Sequence, residues 1–390
     1  MGNDSDHTTY AAAGVHLELG DTASQILYTA AKRTWAQRQD RLGEVIIPHD
    51  DFSGVRYVAV GALPADVVMG IGFDGIGTKI DIAERLGIWH TLAFDLFAMV
   101  CDDAVVQGAE PVLLGTVLDV RTLGTVTVSY VDCVRQLADG YTSAAAVARV
   151  AVVNGEIAEC GPRIGGYGPF NLTWNAGVVW FARRSRLLSG AAVQSGDAIV
   201  GLEETGCRSN GYSLLRHIVQ RRHGDAWHTV AYGDTTLGTL ALQPARIYTA
   251  AVVDMLGGVH GEPQAVLHGV VHVTGGGLPG KLGRVLRRAA LGADITDPLP
   301  PGPLLRYLQE QGNVSDYEAY RVWNMGQGML LITPQPEAVM TVARQHGVPA
   351  QVIGEVTSSP GIRLRSRGYF STFSTFSTSS TGNDILVYPV

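Results

Sequence analysis

The run "GIGFDGIGTKIDIAERLG" (70–87) carries Asp74, Gly75, Gly77, Thr78 and Lys79 from an apolar stretch into a helical pattern. Glycines allow positive φ and let backbone N–H groups approach an anion. Lys79 is a mobile point charge suited to phosphate, and Asp74 is a hard oxygen ligand suited to Mg²⁺. A tight turn with no ligand is the plain alternative. The spacing matches neither G-x-x-x-x-G-K-[ST] nor G-x-G-x-x-G. Further along, Asp95, Asp102 and Asp103 occupy one helical pattern. At ~1.5 Å per residue, Asp95 and Asp102 share a face roughly 10 Å apart. That separation suits two metals or a polyphosphate better than one ion. A solvated acidic stripe is the competing reading, but the neighbours Leu96, Phe97, Met99 and Val100 are apolar. Buried acids need partners.

Three more strings carry polar groups at element ends. Glu156 follows "VAVV" at the close of a strand pattern, where a carboxylate faces a ligand crevice or simply a loop. Arg208, Ser209 and Asn210 precede a helix, which Ser209 or Asn210 could cap. His272 opens "HVTGGGLPGKL", whose Gly275 and Gly276 resemble a second anion nest. His272 is a candidate ligand contact or a core histidine. No G-x-S-x-G is present. The acid, glycine and lysine pattern favours Mg²⁺-assisted phosphate chemistry, dominated by positioning and charge neutralisation.

These groups need a scaffold. Strand and helix patterns interleave through most of the 390 residues, as in an α/β layered fold. Strands are expected in "DVVMGIGFD", "VLLGTVLDV", "VAVVNGE", "NAGVVWFAR", "AIVGL", "GVVHV", "GQGMLLIT" and "AQVIGEV". Helices are expected around 93–108, 129–149, 210–224 and 245–256. Small and polar residues collect at 185–197, so the division runs 1–187, 188–358 and a Ser-Thr-Phe tail, 359–390, expected to be disordered.

A net charge of −7, without a basic run, argues against nucleic-acid or anionic-membrane partners. Cys101, Cys133, Cys160 and Cys207 form no CxxC and read as reduced thiols of a cytoplasmic protein. No stretch supplies the ~18 apolar residues of a membrane span.

The strings "YAAAGV", "FDGIGTK", "DLFAMVCDDAVVQGAEP", "NGEIAE", "SNGYSL", "PARIY", "HVTGGG" and "WNMGQGM" follow one another in the order of a known family. Over about residues 10–356 the chain resembles the aminoimidazole ribonucleotide (AIR) synthetases, or phosphoribosylformylglycinamidine cyclo-ligases, of purine biosynthesis. The resemblance implies an α+β, two-domain fold. The N-terminal domains pair across a homodimer as a β-barrel, and the C-terminal domain is an α/β sandwich. It implies ATP in a cleft, with formylglycinamidine ribonucleotide closed to an imidazole through a phosphorylated amide oxygen.

Carried over, Asp74, Asp95 and Asp103 are Mg-ATP ligands. Asp102 stands where the family usually has Asn and joins the candidate metal set. Lys79 touches phosphate, and Lys32 falls near a family lysine close to ATP. Gly75, Gly77 and Thr78 complete the nucleotide loop. Lys79, Glu156 and Asn210 are the candidate catalytic residues. Arg208, Ser209, His272, Gly275 and Gly276 are the candidate substrate contacts.

The chain departs from the family at several points. "EVIIPHDDFSGVRYV" has one glycine where the family has a glycine-rich loop. Asn154 and Ile157 replace a glycine and a threonine. The stretch "YGPFNLTWNAG" lacks the family's acids, and Arg208 replaces a histidine. A paralogue acting on a different amide-like substrate, or a non-catalytic homologue, is therefore the alternative.

Overall fold

The computed structural model describes residues 16–47, 56–125, 127–371 and 384–390. The string at 10–15, the core of the altered glycine loop (48–55) and most of the Ser-Thr-Phe repeat lie outside the described residues.

The first half is built on a four-stranded sheet. Val67–Gly75 pairs antiparallel with Leu172–Arg183, which pairs antiparallel with Glu110–Val120, which runs parallel to Ala151–Glu159. The helices Leu17–Thr34, Leu92–Val105 and Val131–Ala148 cover one face. Alanine-rich sequence favours the last of these, which ends where Arg149 turns left-handed at φ 56°. Apolar alternation has period two along Val67–Gly75. It leaves Met69, Ile71 and Phe73 on the uncovered face, 67, 59 and 75 % exposed.

The second half is a seven-stranded sheet in the order Gly269–His272, Gln327–Thr333, Ala198–Glu203, Ala350–Thr357, Gly292–Ile295, Gly361–Arg365, Ile385–Tyr388. All pairs are antiparallel except Gly292–Ile295 with Gly361–Arg365. Gln327–Thr333 is buried along its whole length, which accounts for its unbroken apolar run. Among the described residues the strands form open sheets and no closed barrel.

The tail expectation is corrected. Gly361–Arg365 and Ile385–Tyr388 are the last two strands of the second sheet, so the described residues at the two ends of 359–390 belong to the folded domain. The segments are short, and their strand character comes from pairing. Tyr388 is buried, stacks on Tyr317 at 4.5 Å and donates its hydroxyl to the Tyr317 carbonyl at 3.0 Å. Among the described residues no helix is long and apolar enough to cross a membrane.

Tyr388→Ala is expected to cost about 3 kcal/mol or more, as large-to-small aromatic changes in cores do. Ending the chain before Gly361 should cost more. Chemical denaturation measures both, and a wild-type midpoint for either variant would return the tail to the status of an appendage.

Candidate active site

The helix Leu92–Val105 supplies three of the four sequence-selected aspartates, and each has a different environment. Asp95 is fully buried and binds Lys79 through both oxygens, at 2.8 and 2.7 Å. The third Lys79 N–H goes to the Gln243 carbonyl. An ammonium has three donors, so none remains for a ligand. Burial pushes Asp95 up to about 6 even against the Lys79 charge. Ser209 donates to the same carboxylate at 3.4 Å.

Asp102 is likewise buried. Its Oδ2 accepts from Arg208 at 3.0 Å, and its Oδ1 accepts from the Tyr248 N–H and the Thr249 hydroxyl at 3.0 and 2.8 Å. Burial raises its pKa above the usual carboxylate range, while Arg208 opposes the rise.

Arg208 is 1 % exposed and fully engaged at its two terminal nitrogens. Nη1 donates to Glu204 and to the Arg246 carbonyl, both at 2.9 Å, and Nη2 donates to Asp102 and to His272 Nε2 at 2.7 Å. A guanidinium cannot accept, so His272 Nε2 must. The His272 proton is therefore on Nδ1, which donates to Asp103 at 2.6 Å. His272 is a neutral link between a structural arginine and a more exposed carboxylate.

These contacts correct part of the sequence reading. Asp95 and Asp102 are spent in buried ion pairs and hydrogen bonds, so they are not open metal ligands. The three Lys79 donors and the terminal nitrogens of Arg208 are committed to those acids and their neighbours. Neither Ser209 nor Asn210 caps the following helix, whose N-cap is Gly211. Lys32 lies on Leu17–Thr34, 5.4 Å from the Tyr28 ring centroid, and lines neither of the cavities beside Asp74.

Other candidates do converge. Asp74, at the end of its strand, lines two adjoining cavities. One, about 140 Å³, also takes Asp103. The other, about 680 Å³, takes Gly75, Asn154, Glu156 and Asn175. Asp103 has a side chain 56 % exposed. Burial works to raise Asp103, but the His272 hydrogen bond, with the charges of Lys281 and Arg208, holds its carboxyl below the usual range. Burial raises Asp74, and the neighbouring Asp103 charge adds to this. The pair thus shares one field.

Gly77 and Thr78 are exposed beside Asp74. Gly275 lies against Asn210, with a Cβ position 3.5 Å from Asn210 Oδ1. Gly276 and Gly277 have φ of 96° and 63°. A side chain at Gly277 would meet the Tyr320 carbonyl at 1.9 Å, so only glycine fits where that helix begins. The Asn210 Nδ2 group is buried and has no partner among the described residues.

Sequence reasoning missed Glu204, Glu84 and Lys281. Glu204 is the second counter-charge of Arg208. Glu84 anchors the 160–171 connection by accepting the N–H groups of Tyr167 and Leu172 at 2.6 and 3.2 Å, and burial raises it to about 6. Lys281 stands in "HVTGGGLPGKL", one turn into the helix Gly277–Ala289. A separate cavity of about 780 Å³ lies at the opposite end of the first sheet. Its walls include the internally satisfied pairs Arg38–Glu110 and Arg149–Asp254.

Comparison with known proteins decides the family. A model described as AIR synthase related protein, N-terminal domain, matches residues 57–180, and the corresponding C-terminal domain model matches 194–367. The phosphoribosylformylglycinamidine cyclo-ligase of Methanococcoides burtonii is 31 % identical over 361 residues, 92 % of this chain and 97 % of that protein. That of Nitrosococcus oceani is 34 % identical over 362 residues, 91 % of this chain and 94 % of that protein.

The chain belongs to the phosphoribosylformylglycinamidine cyclo-ligase family.

Among solved structures, the fold is similar to thiamine-monophosphate kinase from Stenotrophomonas maltophilia. The TM-score is 0.56 and the identity 18 %, over 85 % of this chain and 94 % of that one. It is also similar to T. maritima PurL complexed with FGAR, with TM-score 0.52 and identity 15 %, over 98 % of this chain and 53 % of that one. The mixed α/β architecture described above is thus an AIR synthetase-like fold.

Lys79→Met is expected to destabilise the protein by about 3–5 kcal/mol, because Asp95 is left as an uncompensated buried charge. The double variant Lys79→Met with Asp95→Leu should recover much of the loss. Denaturant titration reads both, and a Lys79→Met protein of wild-type stability would show that the ion pair is not what holds this corner.

Proposed function

We infer that the chain is an ATP-dependent cyclo-ligase that converts formylglycinamidine ribonucleotide to aminoimidazole ribonucleotide. The observation that carries this reading is the end-to-end similarity to cyclo-ligases, 31–34 % over more than nine-tenths of both chains. In the reaction an amide oxygen takes the terminal phosphoryl group of ATP and releases ADP. An internal nitrogen then attacks the activated carbon, phosphate leaves and the ring closes.

The residues present fit Mg²⁺. This ion uses one or two carboxylates together with phosphate oxygens and does not need a dedicated protein cage. Among the described residues there is no cluster of three or more His, Cys, Asp or Glu that could hold a metal ion unaided. Asp74 and Asp103 are the carboxylates that would hold it. When bound, the ion neutralises phosphate oxygens. Asn210 donates to a ligand oxygen from its unpartnered Nδ2. Glu156, exposed beside Asp74 in the 680 Å³ cavity, is placed to take the proton of the attacking nitrogen. Gly75, Gly77, Thr78, Gly275 and Gly276 leave room for phosphate to approach the backbone.

A different amide-like substrate is the second reading. It is favoured by Ile157 and by the acid-free stretch 167–177, both of which depart from the family pattern. The exposed apolar row Met69, Ile71 and Phe73, with Val117 beside it, supports pairing of two N-terminal sheets as a homodimeric barrel. Localisation in the cytoplasm follows from this reading of a purine-biosynthetic enzyme.

Three experiments test these proposals. ATP turnover should depend on formylglycinamidine ribonucleotide and yield ADP with the aminoimidazole product. Asp74→Asn should weaken ATP binding in Mg²⁺ by about tenfold or more, the size of one lost charged contact. ATP binding without product would move the assignment to the second reading. Sedimentation should show a dimer that Phe73→Glu converts to monomer, and a monomeric wild-type chain would remove the barrel.

A further inference from the structure

Asp103 is open enough to meet a ligand, yet its carboxylate is not free to turn. Its Oδ1 accepts from His272 Nδ1 at 2.6 Å, and its Oδ2 has no hydrogen-bond partner among the described residues. With Asp74 it lines the cavity of about 140 Å³. His272 is buried and lines neither cavity beside Asp74.

The imidazole is held from behind. Arg208 Nη2 donates to His272 Nε2 at 2.7 Å and to Asp102 Oδ2 at 3.0 Å. Asp102 and Asp103 are consecutive on Leu92–Val105, so they stand about 100° apart around the helix axis. The run of bonds from Asp102 through Arg208 and His272 therefore returns to the next residue and closes. Within that closed ring the imidazole has one way to sit. A flipped ring sets a carbon against each partner. The other tautomer sets an N–H against the guanidinium, which has no lone pair to receive it.

Arg208 is strained in this role. Its backbone is left-handed at φ 54°, a region that a bulky side chain seldom adopts. Its Nε is buried with no partner among the described residues. Such strain persists where the surroundings fix a side chain for a purpose other than stability.

We propose that His272 is a positioning residue: locked by Arg208, it holds Asp103 so that the second carboxylate oxygen is presented to the Mg²⁺ that accompanies the nucleotide. His272 touches neither substrate and acts only through Asp103.

The proposal rests on the ATP-dependent reading above. Its test is equilibrium binding of ATP to the full chain, once in Mg²⁺ and once in EDTA, for wild type and three variants. His272→Asn sets an amide donor at the Nδ1 position, where it still meets Asp103. His272→Gln sets its amide at the Nε2 position, where it meets Arg208 and not Asp103. His272→Leu meets neither. In Mg²⁺, His272→Gln and His272→Leu should bind ATP about 10- to 100-fold more weakly than wild type, the usual effect of losing a group that orients a metal ligand. His272→Asn should stay near wild-type affinity, and binding in EDTA should be the same for all four proteins.

A ring that merely supports the fold would make the two amide variants equally poor, with and without Mg²⁺, and that result would overturn the proposal. Wild-type binding of ATP in Mg²⁺ by His272→Gln would overturn it as well and leave the ATP-dependent reading standing. If His272→Leu does not fold, the two amide variants decide alone. A wild-type chain that binds no ATP under either condition removes that reading and this proposal together.

Discussion

The structure depends on neutralising the acids of one helix. Leu92–Val105 carries Asp95 and Asp102 into the interior and leaves Asp103 at its margin. Ionised carboxylates in such a setting are tolerated only when paired and hydrogen-bonded. Lys79 arrives from the turn after the first sheet strand, whereas Arg208, Ser209, Tyr248, Thr249 and His272 all arrive from the second half of the chain. The demand for counter-charge therefore sets the relation between the halves, and the cleft forms around what remains unpaired.

That arrangement divides similar-looking residues into two kinds. Asp95 and Asp102 are held by fixed cations, while Asp74 and Asp103 retain access to cavities. His272 separates the two sets. Its ring is bound on one side to the buried arginine and on the other to an acid at the opening. The four-stranded sheet shows a comparable division by face, with helices over one side and the Met69, Ile71 and Phe73 row open on the other.

Much of this was legible in the sequence. Period-two alternation located Val67–Gly75, an alanine-rich run located Val131–Ala148, and an unbroken apolar run located Gln327–Thr333. The strings around Asp74, Asp103 and Glu156 hold residues that line the two adjoining cavities. What escaped was partnership at long range. Lys79 meets Asp95 sixteen residues away, and Arg208 meets Asp102 at a separation of 106. Spacing along one helix cannot distinguish an acid awaiting a metal from one already matched by a distant cation. The tail misled for a related reason. "GIRLR" and "ILVY" are too short to declare themselves as strands, and each becomes one only through its neighbour in the sheet.

The network around Arg208 also bears on how ligands come and go. Swinging the halves apart would separate the buried charge pair Arg208–Asp102 and break the hydrogen bond of the neutral His272 to the half-exposed Asp103. Only the first is a buried ion pair, and leaving one of its charges unmatched in the interior costs about 3–5 kcal/mol. That tie opposes wholesale opening, and the cavity beside Asp74 and Glu156 is open without any such motion. The 160–171 connection is fixed separately, through Glu84.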